Sequence, residues 1–233
     1  MNVAHGKTLL LREHVDEFLS TRDVAPKTAD MQRRDLMLFV NQFQYAHDAT
    51  KPKVREWVNV VLGTEQGLSL ATRRRMISPA SVYWDYLENN KGLNLPSPFV
   101  KVLPPKPKKR TKAAIQAQRK AFRVGDYHRL IGACEEDTLC DLIKLGAYTG
   151  CRIHELCSLR LENVYSNKFE IVDAKTEAGW RTVPIHPHIA QTVARLVNTS
   201  TDGYLLPGLT LNKYGARSDA IGKRFGRLKV SLG

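Results

Sequence analysis

The stretch LGAYTGCRIHELCSLRLENV, residues 145–164, holds the grouping best suited to chemistry on an anion. A tight turn at Gly150 delivers Arg152 to the first turn of a helix, and Glu155 follows at the i+3 position, within side-chain reach. A guanidinium presents a planar fork of donors that matches the oxygens of a phosphate or carboxylate. Downstream, Lys175 sits in AKTEAGWRTVPI, between two β-prone runs. Each feature also has an ordinary reading: an Arg-x-x-Glu pair on a helix is usually a surface ion pair, and a lysine at a hairpin tip is commonly only solvated. His154 reads as an exposed or packed histidine, and His186 and His188, split by Pro187, as a strand-to-helix turn. The four cysteines, Cys134, Cys140, Cys151 and Cys157, have neither C-x-x-C spacing nor matching histidines, so no metal site is expected and they read as small apolar residues in a reduced compartment.

The elements that must position these residues are legible from periodicity and punctuation. Apolar residues at i, i+3, i+4 and i+7 predict helices over 8–20, 27–45 and 52–62, the last with Pro52 near its start and Gly63 just past its end. Ser69 can cap a further helical stretch carrying Met76, Ile77, Trp84 and Leu87, which Pro79 is expected to break or kink into a helical pair. Helices are expected over 125–135 and 138–148, the latter capped by Gly150, then over 152–159, 187–198 and 214–229. KFEIV (168–172) and RTVPI (181–185) are β-branched and aromatic runs that predict a hairpin with a long tip. The chain is therefore expected to be mainly α with a small β-sheet, an all-α half followed by a mixed α/β half.

The 233 residues contain 36 Lys and Arg against 23 Asp and Glu, a formal net charge of +13. A 42% hydrophobic content excludes wholesale disorder. The positive excess points to a polyanion, with nucleic acid the leading partner. It is concentrated in one place: residues 101–123 hold nine basic and no acidic side chains, whereas 1–100 and 124–233 carry +2 each. Pro104, Pro105 and Pro107 deny that segment a helix at its start, so it reads as a basic interdomain linker. Lys106, Lys108, Lys109 and Arg110 are its candidate phosphate contacts; the rival readings are a solvated tether or a K/R-rich address. No apolar run is long enough for a membrane span, and charges enter the first residues too early for a signal peptide, so a cytoplasmic, nucleoid-associated protein is expected.

With Thr149, Gly150, Arg152, Glu155 and Leu159 in place, the segment resembles the first box of the tyrosine recombinase (phage integrase) family, T-G-x-R-x-x-E-x-x-x-L. Lys175, 23 residues beyond Arg152 and followed by RTVPI, resembles the family's hairpin lysine and its R-x-V-P-L strand. PKTADMQRRDLMLF and LSLATRRRMISPASVYWDYL resemble the second and fourth helices of the family's N-terminal domain. The resemblance implies a helical (SAM-like) core-binding domain over 1–100, the linker over 101–123 and a catalytic domain over 124–233. It further implies that Arg152 holds the nonbridging oxygens of a scissile phosphate, that Glu155 orients Arg152, and that Lys175 protonates the leaving 5′ oxygen. Lys27, Thr28, Arg73, Arg74 and Arg75 fall where the family's helical domain meets DNA, although three consecutive arginines on a helix cannot all face one way. The implied partner is double-stranded DNA, with other protomers joining on it, a monomer in solution, and no metal or nucleotide cofactor.

The family's remaining catalytic groups lie in an H-x-x-R box and a late nucleophilic tyrosine. None of the seven histidines has Arg three positions on, and Tyr204 and Tyr214 precede the point where the box would begin. The resemblance thus implies a catalytic domain lacking its C-terminal part, a truncated recombinase that binds DNA without cutting it alone. Loss of even one oxyanion donor costs about 10²–10³ in rate. The rival from another class is a catalytically dead DNA-binding regulator or prophage remnant.

Overall fold

The computed structural model describes residues 9–105, 121–172 and 179–233. The chain divides into two compact units, Met1–Gln116 and Ala117–Gly233, each with its own apolar core. Among the described residues the fold is mainly α with one two-stranded sheet. None of their helices is long and apolar enough to cross a membrane.

The first unit contains α1 (Val15–Ser20), α2 (Pro26–Gln42), α3 (Lys51–Glu56) and α4 (Leu70–Lys91). Pro26 opens α2 at the one place where a missing N–H costs nothing. Leu36, Phe39 and Val40 form its buried stripe, packed with Phe18, Val54, Trp57, Tyr83 and Trp84. The helix expected over 8–20 begins only at Val15, because Leu9 and Leu11 spend their backbone groups on Ala46 and Gln44. The buried Tyr83 hydroxyl donates to the Leu11 carbonyl and fixes that extended stretch.

Two further expectations are corrected here. Pro79 does not divide the fourth element: α4 runs unbroken through it, capped by the Ser69 hydroxyl, which accepts from the Thr72 amide at 3.2 Å. A mid-helix proline costs about 3 kcal/mol, but Met76, Ala80, Tyr83, Trp84 and Leu87 bury one continuous face on both sides of it. The third helix does not stop before Gly63 either; α3 passes into wider π-type turns over Trp57–Glu65 that include Gly63. Arg73 packs against the widened turns. Its guanidinium donates to the Val58 carbonyl (3.2 Å) and to Asn59 Oδ1 (3.1 Å), and a Cβ on Gly63 would lie 2.7 Å from the same guanidinium.

The second unit contains α5 (Val124–Gly132), α6 (Asp137–Thr149), α7 (Ile153–Cys157), β1 (Lys168–Ile171), β2 (Arg181–Pro184), α8 (Pro187–Thr199) and α9 (Ser218–Ser231). Gly150 ends α6 at φ 63°, a left-handed cap that favours glycine. The strands are antiparallel, with Ile171 opposite Arg181 and Phe169 opposite Val183. Phe169, Ile171 and Val183 face a core shared with Leu145, Leu156, Ile189, Leu205 and Leu206. The last helix starts at Ser218 and not at 214, because Asn212 Oδ1 captures the amides of Tyr214 and Ala216 in a turn. Residues 200–233 are docked, with Leu205, Leu206 and Ile221 fully buried.

Arg217, only 7% exposed, organises that final stretch. It donates to the carbonyls of Cys157 and Leu206 and pairs with Asp202 at 2.9 Å. Its guanidinium also stacks over the Tyr204 ring at 3.7 Å.

Candidate nucleic-acid interface

The turn from α6 into α7 is built from its own side chains. Thr149 Oγ1 donates to the Leu145 carbonyl and accepts from the Cys151 amide, so the chain leaves the Gly150 cap along a fixed path. Arg152 precedes α7 in an extended conformation, and Glu155, on the first turn of α7, bends back to meet it. Glu155 Oε2 accepts from the Arg152 backbone N–H at 2.8 Å, and Oε1 accepts from the Arg152 guanidinium at 2.7 Å. The carboxylate is 2% exposed whereas the Arg152 side chain is 74% exposed. One end of the guanidinium is therefore held while the rest faces outward.

A third residue completes the group. Arg181, the first residue of β2, donates Nη2 to Glu155 Oε2 at 2.8 Å and Nη1 to Oε1 at 3.2 Å. It also donates to the Gly179 carbonyl at 3.0 Å and reaches the Cys151 sulfur at 3.6 Å. These donors, Arg181 foremost, hold the Glu155 carboxyl down to about 2 despite its burial, and the same pairing raises the Arg181 pKa. Two guanidiniums share one carboxylate, so the cluster carries a net charge of about +1. The motif reading takes Arg181 only as the first position of the R-x-V-P-L strand and gives it no partner. The signal was present: Arg181 and Val183 are two apart, so they share the inward face of the strand, where a partly buried arginine is best held by an acidic partner.

The other expected site residues are distributed differently. Lys27 is exposed at the start of α2, and Thr28 beside it is half-buried. The three consecutive arginines each have an internal partner: Arg73 as described above, Arg74 on the Pro104 carbonyl at 3.2 Å, and Arg75 on the buried Asp35. All three are half-buried. Lys175, Lys106, Lys108, Lys109 and Arg110 lie outside the described residues. Tyr204 is half-buried, with the Arg217 guanidinium 3.7 Å and the Arg160 guanidinium 5.1 Å from its ring centroid. His186 and His188 stack on each other 5.1 Å apart and against Tyr148. Among the described residues no group of three or more His, Cys, Asp or Glu could hold a metal ion. An apolar cleft of about 290 Å³, lined by Tyr127, Leu130, Ile143, Cys151, Ile153 and Phe225 among others, flanks the turn, with no charged side chain among the described residues that line it.

No protein-family model matches the sequence, and no characterised protein matches it by sequence. Solved structures do match by fold. A lambda integrase tetramer bound to a Holliday junction superposes with a TM-score of 0.70 at 14% identity, over 100% of this chain and 68% of that one. A lambda integrase dimer bound to a COC′ core site gives 0.72 at 14% identity, over 98% and 65%. The Tn1549 transposon integrase in complex with a circular intermediate DNA gives 0.68 at 16% identity, over 97% and 79%. The chain thus has the tyrosine recombinase fold.

Proposed function

We propose that this chain binds double-stranded DNA as a site-specific recombinase of the integrase type. Residues 1–100 act as a core-binding domain, 101–123 as a basic linker along the phosphate backbone, and 124–233 as the catalytic half. The observation that carries the reading is the Arg152 guanidinium, exposed to solvent yet fixed by the buried Glu155, on a fold whose solved neighbours are described in complex with DNA. A phosphate meeting that guanidinium finds a cation already oriented, so little side-chain freedom is lost on binding. Arg152 would hold the nonbridging oxygens, Glu155 would keep it aimed, and Lys175 would protonate the leaving oxygen. Lys27, Thr28, Lys106, Lys108, Lys109 and Arg110 would supply further backbone contacts. Arg73, Arg74 and Arg75 would meet DNA only by sharing or leaving their present partners.

Residues 1–233 supply one arginine of the phosphate clamp and no H-x-x-R box. They are therefore proposed to bind DNA as a monomer from solution, joined by further protomers on the duplex, and not to cleave it alone. The test is duplex binding by fluorescence anisotropy across a salt series, run beside a suicide-substrate cleavage assay on the same preparation. Binding with a steep salt slope and no covalent adduct is the expected result. A covalent adduct would overturn the inactive reading and redirect attention to Tyr204 and Tyr214, and absence of binding at any salt would overturn the function itself.

A further inference from the structure

Three tryptophans occupy two opposite environments. Trp57 and Trp84 are 4% and 1% exposed in the first unit, whereas Trp180 is 58% exposed in the second. A buried aromatic removes about 150–250 Å² from water, so Trp180 leaves a large part of that area wet. It is not on a loose segment. Arg181, the next residue, is locked to Glu155 by two hydrogen bonds and folds back onto the carbonyl of Gly179, so the backbone on both sides of Trp180 is fixed. Val172, 53% exposed, follows β1 as Trp180 precedes β2, and the Ile171 to Arg181 register brings these two apolar side chains to the same end of the hairpin.

The charge beside this apolar pair restricts what can cover it. Arg181 follows Trp180 directly and shares Glu155 with the exposed Arg152, so the adjoining cluster is net positive. The acidic side chain of β1, Glu170, is paired with Lys168 at 2.9 Å. Duplex DNA combines an anionic backbone with the apolar carbons of the sugar, and in places a thymine methyl, within one nucleotide of each phosphate, and so suits both the cations and the indole of this surface.

We propose that Trp180 is a DNA-contacting residue: its indole packs against the sugar–base edge of the nucleotide next to the phosphate held by Arg152, with Val172 beside it. This inference rests on the duplex-binding function proposed above and adds a contact that is apolar and insensitive to salt.

The experiment titrates the 233-residue protein with duplex while following tryptophan emission and anisotropy together. Emission is expected to fall on binding, and acrylamide quenching of the exposed tryptophan to be suppressed. Trp180→Phe should remove both signals while keeping affinity within about twofold. Trp180→Ala should weaken binding about tenfold with an unchanged salt slope, whereas Arg152→Ala should lower the slope by about one. Unchanged acrylamide quenching with duplex bound, or wild-type affinity in Trp180→Ala, would overturn the proposal and leave the function intact. Self-association of the protein alone that Trp180→Ala abolishes would overturn it in favour of a second copy. No binding by anisotropy would overturn the function and this contact with it.

Discussion

Glu155 and Arg181, 26 residues apart in sequence, meet in two hydrogen bonds of 2.8 and 3.2 Å and join the hairpin to the helix that orients Arg152. The same carboxylate holds the backbone and the guanidinium of Arg152. One buried acid therefore sets the position of a strand and the aim of an exposed cation.

Glu155→Gln should loosen this junction. Glutamine keeps the shape but loses the charge that both guanidiniums need, and the expected cost is about 2 kcal/mol by urea unfolding at pH 7. The difference from wild type should depend on pH in a defined window. Because the folded Glu155 carboxyl is depressed to about 2 from 4.5, its contribution is complete above pH 4.5 and is lost as pH falls toward 2. Wild type and Glu155→Gln should converge in stability by about pH 2; a constant gap across that range would show that the ion pairs do not supply the difference.

The loss of Arg152 and the loss of Lys108 should each be felt as the loss of one phosphate contact. Both Arg152→Ala and Lys108→Ala are expected to weaken duplex binding and to reduce the salt slope by about one. Arg152→Lys should restore charge but not the fork that Glu155 holds, so affinity should recover only in part. Anisotropy at three or more salt concentrations decides it, and full recovery in Arg152→Lys would reduce the role of Arg152 to net charge.

Arg217→Ala should unfold the second unit early. The change orphans the carbonyls of Cys157 and Leu206, leaves Asp202 without its cation although the Tyr204 and Gly208 amides still donate to it, and removes the stack on Tyr204. A loss of about 3 kcal/mol is expected. Trp57 and Trp84 report the first unit, and in Trp180→Phe protein their emission should unfold at an unchanged midpoint while far-UV circular dichroism shows the earlier loss.

Thiol reagents should find the second unit slow to react at two positions. Burial pushes the Cys140 thiol up to about 12 and the Cys157 thiol up to about 11, so neither holds appreciable thiolate near neutrality. Mass spectrometry after brief alkylation of native protein at pH 7.5 should leave both unmodified, and alkylation in urea should label them. Rapid native labelling of Cys157 would contradict its burial.

The reach of the sequence differs from residue to residue for physical reasons. The Gly150 cap, the Arg152–Glu155 pair, the hairpin and the α2 stripe all depend on neighbours a few positions away, and periodicity and turn chemistry register such neighbours directly. Pro79 was misread because its local cost is written in the sequence, whereas the packing that offsets it comes from other helices. Arg181 and the three arginines of α4 were read as a motif position and as DNA contacts, although their partners lie 14 to 40 residues away. Distance along the chain, and not chemistry, hid those pairings.

Gly63 and Arg73 leave a trace of a different kind. The guanidinium occupies the space that any side chain at position 63 would need, and it is bonded to the turns that glycine sits in. Each position bears on the other: a larger residue at 63 requires the arginine to move off its acceptors, and a shorter residue at 73 leaves the wide turns without their donor. Among diverging descendants of this sequence the two sites should be replaced together, as one inherited unit.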